Sequence, residues 1–155
     1  MARRYMAVGA ALALAGSLGF VGTAFGSGPN GKTTCTNISG NINTTITISG
    51  CTDTGSANTG GSSQPIAGTG LATGGSVTWH SGKSTTFGAA QTKLAPGKKC
   101  PGYVKGGANN PTQATFKGSV TAPDTAGFKI PGKFKGVVCV ANDGTISALK
   151  PLKVS

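Results

Sequence analysis

The chain has no Glu, one His and three Asp in 155 residues. Carboxylates and imidazoles are the usual carriers of acid–base and metal chemistry, so their scarcity leaves most hydrolase and metalloenzyme mechanisms without material. Asp53, Asp124 and Asp143 are all more than ten residues apart, which disfavours the two close acids that glycoside hydrolysis requires. Beyond residue 26 there is also no Arg and no Met. Without Arg the chain lacks the planar bidentate donor that reads phosphates and guanine edges, and its aromatics are too few for a base-stacking platform. The composition therefore disfavours nucleic acid as a partner. No stretch after residue 26 repeats apolar residues at the helical spacing, so helices are not expected.

What is present starts with a leader. Arg3-Arg4 precede an apolar run from Ala7 to Phe25, and the small residues Ala24 and Gly26 suit a signal-peptidase site before Ser27. Four glycines dilute the run, and no basic cluster follows it to hold a transmembrane anchor. Residues 1–26 are read as a signal peptide and residues 27–155 as one secreted domain with no membrane span after cleavage. The residues around Arg3-Arg4 fit the twin-arginine signal poorly, and the absence of a Cys at the cleavage point argues against a lipoprotein.

The remaining 129 residues carry 12 Lys against 3 Asp, and only 22 are Ile, Leu, Val or Phe. So thin an apolar fraction with so much charge approaches the composition of disordered chains. Alternating patterning and four cysteines argue the other way. Cys35, Cys51, Cys100 and Cys139 form an even set with no C-x-x-C spacing, which points to two disulfides in place of zinc or redox chemistry. Three connectivities are open. Cys35–Cys51 with Cys100–Cys139 is preferred because the first pair flanks one hairpin.

Alternation predicts strands over Thr33–Ser39 and Asn41–Ser49, turning at Ser39-Gly40-Asn41, with Ile42, Thr44, Ile46 and Ile48 on one face. Residues 52–75 read as a long exposed loop. Ser76–His80 and Ser84–Gln91 flank a tight turn at Ser81-Gly82, with Val77 and Trp79 inward and His80 outward. Leu94–Pro111 reads as a second irregular connection. Thr112–Thr121 turns Phe116, Gly118 and Val120 inward. Asn142-Asp143-Gly144 joins Lys133–Ala141 to Thr145–Leu149, and Lys150–Val154 extends the last strand. Seven or eight short strands predict an all-β antiparallel sandwich or small barrel, immunoglobulin-like in general architecture. The immunoglobulin arrangement itself is not matched, since Trp79 stands 44 residues after Cys35 and 28 after Cys51.

Two motifs fail on context. Gly26 to Thr33 matches the phosphate-loop letters, but it follows a leader and runs into a strand, where that loop needs a strand before it and a helix after. His80 is the sole candidate for a catalytic base, yet no G-x-S-x-G nucleophile elbow accompanies it. No catalytic, cofactor-binding or metal-ligating residue is assigned. Thr-rich outer strand faces resemble ice-binding surfaces only locally, because no repeat sustains them. Trp79 and Tyr103 offer a small platform for sugars, with Trp79 better explained as core.

Lysine is the feature with functional content. Lys93, Lys98, Lys99 and Lys105 surround the second irregular connection, while Lys129, Lys133 and Lys135 lead into a late strand. Lys150 and Lys153 lie near the C-terminus. A field of this sign attracts polyanions, so the seven named first are the candidate anion-binding residues, with an anionic cell-wall polymer or membrane surface as partner. The plain alternative is solubility, since outward Lys also guards strand edges. The expected role is a non-catalytic binding or cell-envelope protein. One alternative is a secreted inhibitor that presents the Gly97–Asn110 loop to an extracellular enzyme. The other is a weak hydrolase centred on His80.

The Cys35–Cys51 hairpin, Val77-Thr78-Trp79-His80-Ser81-Gly82-Lys83 and Gly136-Val137-Val138-Cys139, following an Ala-rich leader, resemble small exported β-proteins of actinobacteria. That resemblance implies the exported compartment and the β fold, and carries no functional residues with it.

Overall fold

The computed structural model describes residues 29–155. The expected leader, residues 1–26, and the first three residues of the phosphate-loop look-alike lie outside them. The elements in chain order are β1 (Lys32–Asn41), β2 (Thr45–Thr54), β3 (Ile66–Ala67), α1 (Gly70–Thr73), β4 (Gly75–Thr78), β5 (Ser84–Phe87), β6 (Gln91–Pro96), β7 (Thr112–Asp124), β8 (Gly132–Val140) and β9 (Thr145–Val154). All strand pairing is antiparallel, and β1 also pairs with β9. β5 and β6 lie end to end along the same edge of β7, as one strand broken at residues 88–90. Counted that way, with the two-residue β3, the seven or eight strands expected are present. No helix among the described residues is long and apolar enough to cross a membrane.

The two layers of this sandwich belong to one sheet that almost closes on itself. Its strands run β3-β2-β1-β9-β8-β7-β5-β4, so neighbours in the sheet are neighbours in the chain apart from the β1–β9 closure. This is a meander, unlike the Greek key of immunoglobulin domains. The last gap, between β2 and β4, is bridged by residues 61–64. Ser49 pairs with Ser62 and Ser63 with Trp79, while the Ser63 hydroxyl accepts the Ile48 N–H at 3.0 Å.

This seam corrects the expectation of a long exposed loop over residues 52–75. β2 runs on to Thr54, and Thr59, Ser63, Ile66 and Leu71 are buried. Small polar residues do this because their hydroxyls satisfy backbone groups at close range, which leaves no hydrophobic alternation to read. Three other expectations also change. The first hairpin turns at Ile42-Asn43-Thr44, three residues later than expected, so Ile42 and Thr44 leave the strand. Gln91–Pro96 form β6, so Leu94–Pro96 belong to a strand and not to the irregular connection expected over Leu94–Pro111. A four-residue helix, α1, also interrupts the all-strand pattern.

The interior is filled by side chains, as an eight-stranded barrel allows. Ile38, Ile48, Trp79, Val120, Phe128 and Leu152 have no exposed surface. At the centre, the Trp79 indole N–H donates to Thr85 Oγ1 at 2.8 Å, and Thr85 donates to Asp124 Oδ1 at 2.8 Å. Asp124 Oδ2 then accepts the backbone N–H groups of Gly127 and Phe128 at 2.9 and 2.8 Å. Phe128 is thereby seated against Trp79, with ring centroids 6.2 Å apart. Among the described residues, no buried side-chain N or O atom lacks a hydrogen-bond partner.

Between β7 and β8 the packing is reciprocal. Phe116 stands opposite Gly136, and Gly118 opposite Phe134. Each aromatic ring lies where the facing glycine would carry a Cβ: one built on Gly136 would meet Phe116 Cζ at 2.6 Å. Phe134 continues this cluster toward Phe87, with ring centroids 4.6 Å apart. A slip of the register by one residue would turn these residues to the outer face, so the interlock fixes the alignment of the two strands.

Both disulfides join as the preferred connectivity has it. Cys35–Cys51 links directly opposed residues of β1 and β2, and Cys100–Cys139 pins the segment after β6 to β8. Each adds roughly 2–4 kcal/mol to a fold with a thin core. Two closed disulfides are the mark of an oxidising compartment.

Replacing Gly136 by Ala should force the Phe116 ring from its place and cost about 1–3 kcal/mol. The same change at exposed Gly102, whose added Cβ meets nothing but whose φ is positive, should perturb stability through backbone strain alone. Urea denaturation followed by tryptophan fluorescence measures both. Ring displacement in the Gly136 variant is checked by the aromatic NMR shifts of Phe116.

Candidate functional site

The interlock inside the sheet has a consequence on its outer face. Lys117 lies between Phe116 and Gly118, and Lys135 between Phe134 and Gly136, so aligning the inner pairs also aligns the lysines. Lys117 stands directly opposite Lys135, and Lys135 directly opposite Lys153 on β9. Three lysines therefore form one row across three adjacent strands, with a strand-to-strand pitch of about 4.8 Å. Like charges directly opposite one another are unfavourable in a sheet.

The row is the shared border of two shallow depressions. One, of about 200 Å³, is also flanked by Lys133 and Ser155, and the other, of about 440 Å³, by Lys150, Thr115 and Pro151. Lys93 on β6 stands opposite Thr115. Lys93, Lys117, Lys133, Lys135, Lys150 and Lys153 are all exposed on this side of the β6–β9 sheet.

The seven lysines expected to bind anions are thus not one group. Lys93, Lys133 and Lys135 belong to the face. Lys98 and Lys99 immediately precede disulfide-bonded Cys100 in the segment after β6, and Lys105 sits in a turn closed by the Gly107 N–H to the Val104 carbonyl at 2.9 Å. Lys129 lies at the other end of the barrel, beside Pro29, Asn30 and Ile130. Lys117, Lys150 and Lys153 complete the face and were not among the seven. Their outward direction is legible from alternation. Their alignment is not, because it depends on pairing between strands far apart in the sequence.

The acids explain why the face stays cationic. Asp124 is held by Thr85 and two backbone N–H groups. Asp53 accepts the Thr59 N–H and hydroxyl at 2.7 and 2.9 Å, bracing the start of the seam. Asp143 accepts the Thr145 N–H at 2.8 Å in the β8–β9 turn. All three carboxylates are engaged by neutral donors.

His80 is exposed, with Nδ1 2.9 Å from Ser62 Oγ, and its backbone N–H bonds to the Ser62 carbonyl. Ser62, which no sequence motif marks, is therefore its neighbour across the seam. The nearby Ser81 hydroxyl donates to the Asn58 carbonyl. The segment from Gly97 to Asn110 is braced by Cys100–Cys139 and by Asn110, whose side chain bonds to Val104 at both its N–H and its carbonyl. Among the described residues, no group of three or more His, Cys, Asp or Glu side chains is placed to hold a metal ion.

Comparison with protein-family models, with curated proteins and with solved structures finds no match.

The hydrogen bonds from Thr145, the backbone N–H first, hold the Asp143 carboxyl below its usual range, because they favour the ionised form. Asp143 therefore stabilises the fold above the ordinary carboxylate value of about 3.9, and this contribution is lost as pH falls through the lower folded value. Denaturation of the wild type and Asp143→Asn across pH should show a constant difference above about pH 5 that narrows below about pH 4.

Proposed function

We propose that the outer face of β6–β9 binds a linear polyanion, and that the protein is an exported, non-catalytic binding component of the cell envelope. An anionic wall polymer is the partner class that best suits an extracellular protein of this charge. The observation that carries this reading is the in-register row Lys117–Lys135–Lys153. A sheet gains nothing from stacking three ammonium groups side by side, whereas a polymer with regularly spaced negative groups neutralises them together. Solubility alone calls for dispersed lysines, and these six converge on one face.

The contribution of each lysine to binding an anionic surface is about 1 kcal/mol. Changing Lys117, Lys135 and Lys153 together to Gln should therefore weaken binding to purified anionic cell wall or immobilised polyphosphate by about 100-fold at low salt. The matched change at Lys98, Lys99 and Lys105 should weaken it far less, and sodium chloride should release the wild type. Equal losses in the two triple variants, or retention indifferent to salt, would sink the proposal.

The Ser62–His80 contact favours a second reading, hydrolysis by a serine–histidine pair. The cross-seam backbone bonds already account for that contact, and each of the three carboxylates available to orient an imidazole is engaged elsewhere. His80→Ala should leave the turnover of simple ester and amide substrates at the wild-type level. A histidine-dependent rate would instead establish the hydrolase.

A further inference from the structure

We infer a second interaction site, independent of the lysine row: the open edge of β6 accepts an extended peptide strand with alternating apolar and acidic residues. The barrel wall is incomplete here. β4 begins at Gly75, just after α1, and reaches no further along this edge than Phe87, so β5 is flanked on both sides while β6 pairs with β7 alone. The Gly97 N–H donates to the Pro111 carbonyl at 2.9 Å, which fixes the alternation of the ladder. Residues 91, 93 and 95 turn their backbone groups toward β7, and Thr92 and Leu94 turn theirs toward the open side. The Ala90 N–H already uses that side, bonding to the Ala72 carbonyl at 2.9 Å. Thr92 and Leu94 thus continue an edge that α1 occupies for one residue and then leaves.

The side chains along this edge state what would fit. Leu94 is 66% exposed although it stands on the inner side, opposite buried Ala114. Beside it opens a cavity of about 180 Å³, walled by Leu71, Phe116, Val138 and Ile146 with Thr92 at its rim. An engineered apolar cavity of roughly 150 Å³ is large enough to hold benzene. A strand added to β6 would turn every second side chain into this cavity and over Leu94. Its intervening side chains would face outward beside Lys93, where an acidic residue is matched. Backbone bonds would give affinity and the alternate pockets specificity, as in strand addition generally. A second copy of this chain suits the edge less well, because symmetric pairing about residue 93 or 94 brings two Lys93 side chains together or close to each other across the pair. Pro96 lacks an N–H and ends the edge, which limits the added segment to about five residues.

Amide exchange on the isotopically labelled protein tests this directly. In the free protein Thr92 and Leu94 should exchange rapidly, and Lys93 and Ala95 slowly. A capped five-residue peptide alternating valine and aspartate, at millimolar concentration, should slow Thr92 and Leu94 by about tenfold or more. Its valine–lysine counterpart should not, and Lys93→Glu should reverse the preference. Thr92→Pro removes an N–H that does not serve the β7 ladder, so it should abolish the protection by peptide while Lys93 and Ala95 stay slow. Slow exchange at Thr92 and Leu94 in the dilute free protein would overturn the inference, showing the edge already satisfied. Protection that grows with protein concentration alone would overturn it in favour of self-association. No effect of the acidic peptide, or equal protection by both peptides, would also overturn it.

Discussion

An indole N–H buried without a partner would cost about 1–3 kcal/mol in a fold whose core is this thin. Satisfying it organises the centre of the molecule. The chain from Trp79 through Thr85 to Asp124, and on to the amides of Gly127 and Phe128, joins the residue following β4, β5, the end of β7 and the segment leading into β8. One carboxylate thereby holds four parts of the barrel around the largest side chain in it. The same requirement governs the seam, where Asp53 engages Thr59 and the Ser63 hydroxyl engages Ile48. With few large apolar residues to pack, the barrel closes with every buried polar side chain among the described residues paired.

That economy determines the surface. Each acid is committed to neutral donors, so none is left to balance the lysines of the β6–β9 face. Inside the sheet, Phe116 and Phe134 lie over Gly136 and Gly118. Outside, and because of that alignment, Lys117, Lys135 and Lys153 stand abreast. The repulsion among them is weak, since at exposed positions water and salt screen charges heavily. Packing within the barrel sets the register, and the register sets the spacing of charge.

Much of the fold was legible in the sequence because it rests on local patterns. Alternation marked the inward set Val77, Trp79, Phe116 and Val120, and Asn142-Asp143-Gly144 marked the last hairpin. The parts that escaped lack such a signature. The seam of residues 61–64 is built from Gly, Ser and Gln, which read as loop because their backbone and hydroxyls do the pairing. β6 was lost beside Pro96 and Gly97, which genuinely end it. The lysine face was half legible: outward direction follows from parity within a strand, but the alignment of residues 117, 135 and 153 depends on long-range pairing. Lys98, Lys99 and Lys105 looked equivalent to the others by composition and lie elsewhere because Cys100–Cys139 fastens their segment to β8.

Most pairings of the meander are between strands close in the chain, but β4 starts without pairing to β3, and β9 must return to β1. The pairings of Thr33 with Val154 and Cys35 with Leu152 span nearly the whole described chain. Hairpins can form as soon as their two strands are available, but this ring can close only when the last ten residues are free to dock. Until β9 docks, one side of β1 has no strand to pair with. Completion of the barrel is timed by the arrival of its final strand.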